Sequence, residues 1–123
     1  MGDDRAENGF WLYDLAVETV LDGPPVCRHV EGEVFRVEGE TLVFDAGQKV
    51  SMYALAALLP LLPAKQRATD PADWMSTDAG VACPDPHCGG RFRITRTDKR
   101  WFSHAATTGL PGARGTPYWK DEE

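Results

Sequence analysis

Residues 33–44 run Glu33-Val34-Phe35-Arg36-Val37, then Glu38-Gly39-Glu40, then Thr41-Leu42-Val43-Phe44. Two short β-rich runs flank a connection that holds a glycine, and a hairpin lets such runs pair while the chain reverses. An antiparallel pair is therefore expected here. Upstream, Phe10 to Leu21 is rich in aromatic and β-branched residues, with Leu15, Val17 and Thr19 at period two, and reads as a strand. Asp22-Gly23-Pro24-Pro25 ends it, because neither proline can donate to a ladder and both fix φ. A short loop carrying Cys27 and His29 follows.

Downstream of the hairpin, Asp45-Ala46-Gly47-Gln48 stops the second run, and Ser51 stands where it can N-cap a helix from Met52 to Leu59. That helix is apolar on every side, which predicts burial on most of its surface. Pro60 and Pro63 limit or kink it. Residues 64–80 read as a polar connector anchored by Trp74, with Asp70-Pro71-Ala72-Asp73 as a turn or the first turn of a short helix. Arg91 to Thr97 alternates as a strand does, and Thr97-Asp98-Lys99 reads as a turn that returns Arg100 to His104 as its hairpin partner. The expected architecture is α+β: a small, mostly antiparallel sheet packed on one apolar helix, with a zinc-knuckle-like turn before a C-terminal hairpin. Residues 1–9 are expected to form a disordered leader, 10–104 a single domain and 105–123 an irregular tail rich in glycine and proline.

A chain of 123 residues is long enough to bury one core without relying on disulfides or metal. Its 42% hydrophobic and 26% charged residues are ordinary for a globular domain. A net charge of −6 works against non-specific attraction to nucleic acid or anionic membranes. The start, Met1-Gly2-Asp3-Asp4-Arg5, is acidic and lacks the pattern of a secretory signal. The longest uncharged run, between Lys49 and Lys65, is shorter than the ~20 apolar residues a membrane span needs. A cytoplasmic location is expected, and in a reducing compartment three cysteines serve metal or redox chemistry more often than structural disulfides.

The sharpest chemical signal is Cys83-Pro84-Asp85-Pro86-His87-Cys88-Gly89-Gly90. Zinc takes sulfur and nitrogen ligands in a tetrahedron, and two closely spaced cysteines in a tight turn supply half of one. The glycines after Cys88 allow a tight backbone turn whose amides can face a thiolate. No second cysteine pair exists, so the site must draw on Cys27, His29, His87 and His104. The preferred set is Cys27, Cys83, Cys88 and His104, the last returned by the expected hairpin, with His29 and His87 in reserve. His87 is the poorer ligand because its neighbour Cys88 already binds. The competing reading is plain: cysteine is among the most buried residue types and often acts as a small hydrophobe.

Other candidates are weaker. Arg91, Arg93, Arg96, Lys99 and Arg100 lie among Phe92, Trp101 and Phe102, a composition that can bind single-stranded nucleic acid. In an acidic chain it more often marks a solvated sheet face, and no nucleic-acid partner is expected. Ser51 is a helix cap before it is a nucleophile, since no His or Asp is tied to it. There is no phosphate-binding glycine loop and no His-Glu-x-x-His helix.

Three pieces together resemble a family of small, uncharacterised prokaryotic proteins: Val26-Cys27-Arg28-His29-Val30-Glu31-Gly32-Glu33-Val34-Phe35, then Ser51-Met52-Tyr53-Ala54-Leu55-Ala56-Ala57-Leu58-Leu59-Pro60, then Cys83-Pro84-Asp85-Pro86. The family has a Cys-rich leading loop, an Ala/Leu-rich helix ending near proline, and a Cys-Pro-Asp-Pro turn. The likeness spans roughly residues 12–95, and the turn is its most specific part. Where many such proteins carry a cysteine, this chain has Ser51, and Cys88 is an added thiol that would replace it as a ligand. The resemblance implies metal or thiol chemistry without supplying a reaction.

These readings converge on a small zinc-binding accessory or interaction protein whose metal is structural. The alternative is a small metal-dependent enzyme in which water fills the fourth zinc position and Asp85 acts as general base.

Overall fold

The alternation of Leu15, Val17 and Thr19 builds the central strand of the domain. A computed structural model describes residues 9–24, 31–32, 34–77 and 80–103. Strand β1 spans Gly9–Leu21, and its three alternating residues are almost wholly buried. β2 (Val34–Glu38) and β3 (Thr41–Phe44) form the expected hairpin. Gly39 turns the chain with φ +64°, a conformation that costs glycine nothing. β4 (Gly80–Ala82) and β5 (Gly90–Ser103) complete a five-stranded antiparallel sheet in the order β3-β2-β1-β5-β4. The fold is α+β, with three short helices: α1 (Met52–Leu58), α2 (Leu62–Lys65) and α3 (Trp74–Thr77).

Register puts one set of side chains on a common face. Val17 sits opposite Phe35 on β2 and Ile94 on β5, Leu15 opposite Val37, and Thr19 opposite Phe92. Ala54 and Leu58 of α1 and Leu62 of α2 close over that face to form the core. Burial of this apolar surface is the main favourable term in folding.

Five expectations need correction. The C-terminal hairpin does not form, because residues 90–103 are one continuous strand that pairs with β1 from Leu21↔Gly90 to Gly9↔Ser103. The polar run Thr97-Asp98-Lys99 is a bulge instead of a turn: Asp14 pairs with Asp98 and Leu15 with Arg96, leaving Thr97 as the extra residue. The single apolar helix gives way to three short ones. Ser51 does cap α1, its Oγ accepting from Ala54 N at 3.4 Å, but the helix is not buried all round: Met52 is 70% and Tyr53 68% exposed. One stripe, Ala54 and Leu58, meets the core.

Trp74 does not anchor the connector, being 76% exposed. Arg96 does that instead. Its Nε donates to Lys65 O at 2.8 Å and its Nη2 to Arg67 O at 2.7 Å and Thr69 Oγ1 at 3.1 Å, while its guanidinium lies over the Tyr13 ring. Gln66 continues the sheet where β2 ends, exchanging Tyr13 N–H to Gln66 O at 2.8 Å for Gln66 Nε2 to Tyr13 O at 3.2 Å. The same Nε2 donates to Gly39 O at 2.6 Å, so a buried amide serves both β1 and the hairpin turn. Among the described residues, no helix is long and apolar enough to cross a membrane.

Candidate metal centre

Strand β4 is only three residues long, yet it decides what residues 83–89 are. They form the loop of a β4–β5 hairpin, closed where Cys83 N donates to Gly90 O at 3.1 Å. Inside the loop Asp85 organises the turn: its Oδ1 accepts from His87 N at 3.0 Å and its carbonyl from Cys88 N at 3.0 Å. Proline at 84 and 86 fixes φ on either side of it. The product is a stiff loop with a cysteine at each end of the turn.

Both thiols face inward. Cys83 is 7% and Cys88 3% exposed, while His87 is exposed. Gly90 N approaches Cys88 Sγ at 3.4 Å, a backbone donor of the kind that steadies a thiolate. Arg91 Nη1 donates to Cys88 O at 3.1 Å and to Gly90 O at 2.8 Å, fixing a positive charge beside the loop.

The segment leaving β1 docks on this loop. Asp22 N donates to Gly89 O at 2.7 Å, and Gly89 N donates to Pro24 O at 3.1 Å. Gly23, at φ +122°, lies directly against Gly89. Pro24 therefore sits one residue from Cys88. Cys27 follows three residues later and His29 five, within reach of roughly 11 and 18 Å of fully extended chain.

Cys27, His29 and His104 lie outside the described residues. Among the described residues no group of three or more Cys, His, Asp or Glu side chains is placed to hold a metal. The structure brings Cys83 and Cys88 to one loop and holds residues 22–24 against it. It removes the route proposed for His104, since β5 carries the chain from Gly90 to Ser103, roughly 40 Å away along the strand. Asp85 has one carboxylate oxygen committed to the turn. What the sequence reading missed is the backbone contact between Gly23 and Gly89. Gly89 is needed because nothing larger fits between the two segments, and its φ is not in the positive region that a tight turn would call for.

The basic cluster of β5 is largely consumed within the fold. Arg93 pairs with Glu18 at 3.2 Å, Arg100 with Asp14 at 2.8 Å, and Arg91 and Arg96 serve backbone carbonyls. The nearby aromatics pair across strands, Trp11 edge-on to Trp101 and Phe10 tilted against Phe102, on the ribbon opposite the loop. No family model, no curated protein and no solved structure matches the chain, so the centre is read from its own residues.

Proposed function

We propose that this chain is a small zinc-binding module whose metal is structural, acting as an accessory or interaction protein. The β4–β5 loop would supply Cys83 and Cys88 as a zinc knuckle, and the segment after β1 would supply Cys27. A histidine would complete the tetrahedron, and His29 takes precedence over His104 because it follows Cys27 by two residues in sequence, whereas β5 does not return toward the loop. His87 is exposed and adjacent to a ligand. The observation that supports the reading is the pair of hydrogen bonds, Asp22 N to Gly89 O and Gly89 N to Pro24 O, which hold residues 22–24, three positions before Cys27 in sequence, against the loop that carries Cys83 and Cys88.

A site with four protein ligands is closed, and its binding energy goes into the fold instead of into activating water. Zinc analysis of the reduced, untagged chain should find about one ion per molecule. X-ray absorption at the zinc edge should then report three sulfurs and one nitrogen. Three protein ligands plus a water oxygen would instead favour metal-dependent hydrolysis with Asp85 as base, and absence of zinc would sink both readings.

A further inference from the structure

The structure assigns a binding site for a small single-ring carboxylate to the cavity between helices α2 and α3 and strands β4 and β5, an inference that needs no metal. Leu61, Trp74, Met75, Val81 and Ile94 line an apolar cavity of about 160 Å³, and Lys65 lines it with them. Lys65 and Ile94 also line a second space of about 190 Å³, whose other walls are Ser76, Thr77, Thr95 and Arg96. The two spaces therefore share a wall, and that wall carries an ammonium group. Lys65 ends α2 and is 5% exposed, and its Nζ donates to Met75 O on α3 at 2.7 Å. Arg96 ties both helices to β5 through Lys65 O and, at 3.4 Å, Ser76 Oγ.

Size and charge together name the occupant. Drug-sized sites enclose roughly 300–1,000 Å³, whereas an apolar cavity of about 150 Å³ holds one benzene-sized ring. The apolar space here takes one ring and no more. Trp74, left exposed beside it, offers an indole for that ring to pack against. The second space calls for a negative head group. Arg96 spends its hydrogen bonds on carbonyl and hydroxyl oxygens, and no carboxylate among the described residues pairs with it. Among the described residues, no Asp or Glu lines either space. The overall charge of −6 is screened beyond roughly 8 Å at physiological salt, so the cations beside the cavity decide. A carboxylate is small and planar, and charge-assisted hydrogen bonds to Lys65 would hold it at the shared wall.

Benzoate titrated into the full reduced chain at pH 7 tests this, followed by nitrogen–proton correlation NMR. Saturable shifts are expected at the amides of Met75, Val81 and Ile94. Benzyl alcohol has the ring without the charge and inorganic phosphate the charge without the ring; each should bind roughly tenfold more weakly, or worse. Lys65→Met keeps the apolar stem and removes the charge, so it should weaken benzoate by a similar factor and leave benzyl alcohol unchanged. Val81→Phe fills the cavity with a residue that suits a strand, and should abolish binding of both. Far-UV circular dichroism and Tm identify a variant that has lost its sheet. If Lys65→Met is one, Val81→Phe and the two analogues still decide the matter. A wild-type chain without saturable shifts at tens of millimolar benzoate would overturn the site. So would equal affinity for benzyl alcohol, or benzoate binding that survives in folded Val81→Phe.

Discussion

Arg100 grips Asp14 at two points, its Nε 2.9 Å from Oδ1 and its Nη2 2.8 Å from Oδ2, across the β1–β5 ladder at the bulge. Asp14 Oδ1 also accepts from Gly39 N at 3.1 Å, so one carboxylate joins β5, β1 and the β2–β3 turn. Only 13% of its side chain is exposed, against 45% for Arg100. The Arg100 hydrogen bonds, helped by the Gly39 amide, hold the Asp14 carboxyl below its ordinary value of 3.8, with burial opposing them.

Asp14→Asn should therefore destabilise the fold at neutral pH by on the order of 1–2 kcal/mol, the range for a part-buried, charge-assisted pair. A lowered carboxyl pKa gives stability that is complete above 3.8 and lost as pH falls through the lowered value. The gap between wild type and Asp14→Asn in urea denaturation should thus be full at pH 7 and close below pH 3.8. A gap unchanged across that range would show that the charge contributes nothing.

Gln66 offers a second test. Its amide donates to Tyr13 O and Gly39 O, and the residue is 6% exposed. Gln66→Ala should cost about 1–3 kcal/mol by leaving buried carbonyls without their donor. Gln66→Glu keeps the shape but turns a carboxylate toward two carbonyl oxygens, and should cost more at pH 7 than Gln66→Ala. Equal stability of all three chains in urea melts would contradict this role.

Much of this fold is visible in the chain before it is folded. Leu15, Val17 and Thr19 declare β1, and Gly39 declares the hairpin, because both signals are local. β5 is different. A polar run such as Thr97-Asp98-Lys99 suits a turn and a bulge equally well, since each interrupts the ladder where a polar side chain can reach water. What decides between them is the length of β1, whose far half needs a partner, and that is a long-range fact. Helix α1 hides its orientation for another reason: when every residue is apolar there is no periodicity to show which side meets the core. Of the site, the spacing of Cys83 and Cys88 is legible, but the short β4 that frames them is not. The Gly23–Gly89 contact is invisible locally, because each glycine lies in a run that already reads as a turn.

The stripe on α1 makes the third prediction. Leu58 is wholly buried and Leu55 partly so, whereas Met52 and Tyr53 face water. Leu58→Ala should cost about 2–5 kcal/mol and Leu55→Ala less. Met52→Ala and Tyr53→Ala should each change stability by no more than about 0.5 kcal/mol. Reversal of that order in thermal or urea melts would place the core on the wrong face of the helix.

The central claim is that the segment after β1 and the β4–β5 loop share one metal ion. It is tested most directly by measuring zinc content and Tm on the same preparation of Cys27→Ser. Shared ligation closes the long loop between Cys27 and Cys83, so ligand loss and lost stability must appear together. Cys27→Ser and Cys83→Ser should each lower both quantities, and His87→Ala should lower neither to that degree. If Cys27→Ser retains its full complement of zinc, whatever its Tm, the two segments do not share a metal and the account is wrong.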